Sequence, residues 1–169
     1  MATDIIFLPV DVPNIDNLTS TSTTNALSAN QGKEIKTLID GKGNWSAYTP
    51  TSANITIGNG TLDASYTQIG KTIHFRIKFT LGNTSAIGTT PYFSLPATAN
   101  AANINSTVIL SDANVGLYNG TLEPTTGNAI PTAIGSTGTY TNFLGITATV
   151  PFTWTTTDYI KINGTYEAA

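Results

Sequence analysis

Apolar and polar side chains alternate most cleanly over Ile73-His74-Phe75-Arg76-Ile77-Lys78-Phe79. Ile73, Phe75, Ile77 and Phe79 share one side of an extended chain; His74, Arg76 and Lys78 share the other. That period of two predicts a strand in an antiparallel sheet, buried on one face and wet on the other. Tyr159–Tyr166 repeats it, with Ile160, Ile162, Gly164 and Tyr166 opposite Tyr159, Lys161, Asn163 and Thr165. Weaker strands are predicted at 55–57, 62–69, 92–95, 107–110, 115–118, 129–134 and 143–150. The pairs Asn59-Gly60, Gly82-Asn83, Asn119-Gly120 and Gly127-Asn128 stand between them as turn signals. Many short strands at close spacing predict a mainly β fold over 44–169, an antiparallel, jelly-roll-like β-sandwich.

A helical period occurs in one place. Ser28-Ala29-Asn30-Gln31 has the spacing of a capping box, in which Ser28 accepts from the backbone N–H of Gln31. Ile35, Leu38 and Ile39 follow on one face, and Gly41 and Gly43 supply stop positions with Lys36 and Lys42 near the negative end of the dipole. A helix within 28–43 of about a dozen residues is marginal by itself in water. Its stripe therefore needs a cover, either the chain's own domain or copies of the same helix. Placing Ile35 and Leu38 at a and d gives one apolar layer pair, preceded by polar Ser28 and Gln31. That is too little to choose between the two covers.

Ahead of the helix, residues 14–27 form a polar, Thr- and Ser-rich linker without apolar periodicity. Before it, residues 1–13 hold the apolar run Ile5, Ile6, Phe7, Leu8 and Val10, kept extended by Pro9 and Pro13. Apolar surface at a terminus is costly to leave in water. Docking on a partner, by strand addition to a sheet edge, is preferred to packing back on the chain, because the polar linker follows. No signal peptide is read in the first ten residues, which lack a basic start, and no run is long enough to span a membrane.

Composition narrows the picture. Charged residues are 10% of the chain, against about 25% in an average soluble protein. Thr, Asn, Ser and Gly carry the surface, a mixture suited to strands and tight turns. The formal charge is -3 and no basic patch is visible along the sequence, so the electrostatic footprint of a nucleic-acid binder is missing. The cysteine count of 0 excludes a disulfide framework and Cys-based zinc sites.

Catalytic chemistry is poorly provided for. His74, the single histidine, sits on a polar strand face, and no Gly-x-Ser-x-Gly nucleophile motif accompanies it. Asp63, Asp112, Glu123, Asp158 and Glu167 have no spacing signature of a carboxylate pair and read as solubilising or capping groups. Gly58-Asn59-Gly60 precedes β-type sequence, so it reads as a hairpin turn and not a phosphate loop. No enzyme, metal or cofactor is expected. Trp45, Tyr140 and Trp154 are candidate glycan platforms, because sugar rings stack on aromatic faces while amides and hydroxyls take their OH groups. The competing reading places Trp45 and Trp154 in the core or a subunit contact.

Asn17–Lys33, with Ala26-Leu27-Ser28-Ala29-Asn30-Gln31-Gly32-Lys33 at its end, resembles the "ALSA-x-QG-K" segment of phage tail fibre and baseplate proteins. In those proteins it forms a short helix ahead of a distal domain. The remaining chain resembles a β-rich module at the ends of phage tail proteins. The pieces that carry this are Asn44-Trp45, Tyr48-Thr49-Pro50, Gly70-Lys71, Phe93-Ser94-Leu95-Pro96, Pro151-Phe152-Thr153-Trp154 and Ile162-Asn163-Gly164-Thr165-Tyr166-Glu167. The resemblance implies a homotrimer, a virion location (tail tip, baseplate or capsid surface) and host-surface binding; with the residue readings above, Ile35, Leu38 and Ile39 would close the three-fold contact and the bound group would be a host-surface saccharide. Ile5, Ile6, Phe7, Leu8 and Val10 would then anchor it to another virion protein. A short arm departs from the long shafts of large fibres. The rival from another class is a free-standing carbohydrate-binding module.

Overall fold

The computed structural model describes residues 21, 28–123, 125–137 and 139–169. The arm at 1–13, with all its candidate anchor residues, and the linker at 14–27 apart from residue 21 lie outside the described residues. The chain divides into two compact units, Met1–Lys42 and Gly43–Ala169.

In the first unit, α1 spans Ala29–Asp40. Ser28 stays extended at φ -65 and ψ 157, and its Oγ accepts from the Gln31 N–H at 3.2 Å. This cap follows the Ser-x-x-Gln spacing. At the other end the Gly41 N–H donates to Thr37 O at 3.1 Å, and the Lys42 N–H to Ile39 O at 3.0 Å. Lys36 does not serve the C-terminal dipole as the sequence suggests; its ammonium pairs with Asp40 one turn on.

The second unit is antiparallel β throughout. Its strands are β1 (Ser46–Ala47), β2 (Ser52–Thr56), β3 (Thr61–Ile69), β4 (Thr72–Thr80), β5 (Ala86–Ser94), β6 (Asn105–Asp112), β7 (Gly116–Glu123), β8 (Asn128–Thr137), β9 (Tyr140–Gly145) and β10 (Tyr159–Glu167). They run in the order β1-β3-β4-β10-β6-β7-β8-β5-β2, with β9 added beside β8. The expected mainly β, antiparallel fold thus takes the form of a sheet curled into a half-barrel. β8 makes the corner: Ala129 faces Phe93 of β5, Thr132 faces Thr121 of β7, and Ile134 faces Phe143 of β9.

The alternation read from the sequence sets the two faces. Ile73, Phe75, Ile77 and Phe79 of β4 are buried, as are Ile160, Ile162 and Tyr166 of β10 and Val108 and Leu110 of β6. Phe79 meets Phe93 across the interior edge to face, with ring centroids 6.3 Å apart. Each such side chain contributes about 1.5–3 kcal/mol on leaving water. Asp158 is also fully buried, so of the two roles read for it, solubilising and capping, it has the second. Its carboxylate accepts from the backbone N–H groups of Ala113 at 2.8 Å and Thr155 at 2.5 Å. It ties the approach to β10 to the β6–β7 turn.

Three of the four turn signals mark something other than a hairpin. Gly58-Asn59-Gly60 links β2 to β3, and Gly82-Asn83 links β4 to β5, but neither pair of strands is hydrogen-bonded. Both are crossovers, clasped to each other where Asn59 N–H donates to Thr84 Oγ1 at 2.9 Å and Thr84 N–H donates to Asn59 Oδ1 at 3.1 Å. Asn119-Gly120 lies inside β7, where Gly120 faces Val108 and Ala133. Gly127-Asn128 does connect two paired strands, β7 and β8.

Candidate functional site

On α1 the apolar stripe stands open. Ile35 is half-buried, Leu38 is 58% exposed and Ile39 is 64% exposed. Exposing two neighbouring aliphatic side chains on a helix this short is unfavourable unless something else covers them.

In the β unit the three candidate glycan platforms do not come together. Trp45 precedes β1 at one end of the strand order and is 47% exposed. Tyr140 begins β9, beyond β8, and is 80% exposed. Trp154 is half-buried against the core, its ring 4.5 Å from that of Phe152, and its indole N–H donates to Thr147 O at 3.0 Å. With its polar handle used internally, Trp154 braces the loop ahead of β10. Near Tyr140, Phe143 of β9 is exposed beside a wide depression of about 830 Å³ with Glu123 and Asn103 in its wall.

The outer face of β4 and β10 holds what the sequence conceals. Arg76 and Lys78 of β4 lie beside Lys161 of β10, with Lys161 facing Lys78 in register and Asn163 facing Arg76. All three cations are exposed. Arg76 and Lys78 share a strand face already in the sequence, but Lys161 lies far along it; folding brings the three together, which corrects the reading of no basic patch locally. The Arg76 guanidinium stacks 4.5 Å from the Trp45 ring centroid, while its Nε donates to Ser65 Oγ at 2.6 Å. Lys78 Nζ lies 4.9 Å from the Tyr159 ring centroid. Two shallow depressions of about 360 and 420 Å³ flank these groups, and Asn163 lines both.

His74 lies on the same face, with its Nδ1 2.8 Å from Thr165 Oγ1. Among the described residues, no group of three or more His, Cys, Asp or Glu side chains is placed to hold a metal ion. No helix among them is long and apolar enough to cross a membrane.

Residues 15–47 match a family model described as phage tail fiber repeats. The match supports a structural protein of phage fibre type. It takes in α1 and β1, and it suggests a virion tail location. No curated protein and no solved structure matches the chain significantly.

Proposed function

We propose that this fibre-type chain is a non-enzymatic virion subunit that assembles as a homotrimer through α1. Its N-terminal arm docks on another virion protein through Ile5, Ile6, Phe7, Leu8 and Val10. The β unit is the head that it displays, and the head binds a host-surface saccharide. The precise seat is the tail tip, the baseplate or the capsid surface.

The observation that carries this reading is the open stripe of α1, within the segment that matches fiber repeats. Bringing three copies together would cover Ile35, Leu38 and Ile39, each worth about 1.5–3 kcal/mol when fully buried. Weak saccharide sites on three linked heads then gain avidity without new contacts.

Mass measurement of the purified full chain at micromolar concentration tests the assembly. A trimer is expected, and Leu38→Asp combined with Ile39→Asp is expected to give monomers whose head unfolds as before. A stable monomer of the unaltered chain would overturn the trimer and leave a free-standing carbohydrate-binding module as the better reading.

A further inference from the structure

We infer that the outer face of β4 and β10, rimmed by Trp45, binds an anionic polysaccharide whose acidic groups seat between Arg76, Lys78 and Lys161. The inference rests on the saccharide-displaying role proposed above and names the chemical class of the saccharide.

The charge arrangement carries the argument. The head contains four Lys or Arg residues, Lys71, Arg76, Lys78 and Lys161, and three of them fall on two adjacent strands. Lys78 and Lys161 are directly opposed, and like charges directly opposite in a sheet are destabilising. One carboxylate shares this block, Asp63 of β3, in register with Lys78. It forms no ion pair there, because Lys36–Asp40 is the one ion pair among the described residues. Three positive charges therefore face solvent against one negative, in a chain whose formal net charge is -3. An anionic ligand supplies the missing counter-charge.

The cations are also held in place. Arg76 is fixed by Ser65 at its Nε and by Trp45 beneath its plane, and its terminal amino groups have no acceptor among the described residues. A guanidinium oriented in this way offers two parallel donors to a carboxylate or phosphate. Lys78 is steadied over Tyr159. Beside the cations the surface is amide and hydroxyl, from Asn163 next to Arg76, Ser65 on its other side and Thr107 beyond Asn163, which suits sugar OH groups. The depressions are open and adjacent, with Asn163 in the wall of both, so the face fits an extended polymer better than a small enclosed ligand. Nucleic acid fits less well: a base needs an open aromatic face to stack on, and Arg76 already covers one face of Trp45.

Binding of the full-length protein to four polymers tests this: polygalacturonate, its methyl ester, dextran phosphate and unmodified dextran, with single-stranded DNA as a fifth probe. Polygalacturonate or dextran phosphate is expected to bind, more weakly as salt rises, and the uncharged counterparts are not. Which of the two binds more tightly separates a carboxylate from a phosphate partner. Arg76→Gln and Lys161→Gln are each expected to weaken binding about tenfold, the scale of one lost charge-assisted contact. Lys161→Gln should not lower the melting temperature, since it relieves the opposition to Lys78; Arg76→Gln gives up the Ser65 bond and the Trp45 contact, so its binding is read at a temperature where circular dichroism shows the head folded. Equal binding of charged and uncharged polymers, insensitive to both variants, would overturn the anionic preference and leave saccharide display standing. Tighter binding of DNA than of any glycan would overturn the inference in favour of a nucleic-acid face. A trimer that binds none of the polymers would overturn it and leave the assembly intact.

Discussion

Tyr48 and Tyr166 place the same phenol in two different settings. The Tyr166 hydroxyl donates to Ala97 O at 2.6 Å and accepts from the Ala97 N–H at 3.1 Å. The Tyr48 hydroxyl is buried without a partner, although its ring packs edge to face on Tyr66 with centroids 5.7 Å apart. A buried hydroxyl without a partner costs more than it returns, whereas a satisfied one contributes. Tyr48→Phe is therefore expected to raise stability by about 1 kcal/mol, and Tyr166→Phe to lower it by about 1–3 kcal/mol, in urea unfolding at neutral pH. Burial lifts both phenols above their ordinary value, and for Tyr48 the neighbouring Tyr166 adds to the rise. The folded state then holds these protons more tightly than the unfolded chain. Stability is full below an unfolded-state value of about 10 and falls as pH climbs from there toward the folded values. Thermal unfolding between pH 8 and pH 11 should show that loss, and Tyr48→Phe should reduce it.

Among the elements, β7 shows how a glycine can mislead. Asn119-Gly120 has the chemistry of a hairpin turn, yet Gly120 is needed inside a strand. A Cβ there would lie 1.8 Å from the carbonyl oxygen of Thr132, so β8 approaches only because the side chain is missing. Gly116 of the same strand has nothing within 4 Å of such a Cβ. Gly120→Ala is expected to cost about 1–3 kcal/mol or more, as overpacking does, and Gly116→Ala within about 1 kcal/mol, the usual span of a strand substitution. Paired denaturation curves check both. By contrast, β4 and β10 were legible residue by residue, since each has one wet and one dry face and period two reports that directly. The helix start was equally legible, because a cap is a local bond between residues three apart. The cationic face was not, since it depends on β10 coming to lie beside β4, a pairing that no local pattern encodes. Trp154 could be singled out as an aromatic, but its bond to Thr147 belongs to the loop's tertiary path. Neither the turn signals nor Gly-x-Gly spacing distinguishes a hairpin from the crossover that Asn59 and Thr84 clasp together.

For the whole molecule, the open apolar stripe lies in one unit and the cationic face in the other, so the assembly and display proposed for them are separable tasks. Deleting residues 1–13 is expected to leave both the trimer mass and the unfolding of the head unchanged while abolishing incorporation into particles. An immunoblot of purified virions checks it, and normal incorporation would reject the anchor. The position of β10 between β4 and β6 has a further consequence. While a ribosome has delivered the chain only as far as Asp158, those two strands have no common neighbour and each presents an unpaired edge. Open edges recruit any strand in reach, including one from a nascent sibling on the same message. The half-made β unit is thus the vulnerable moment in this protein's life, and if α1 gathers copies as proposed, it does so before any of their sheets is sealed. Crowded synthesis should therefore favour exchanged strands, and sparse initiation on the message cleanly separate heads.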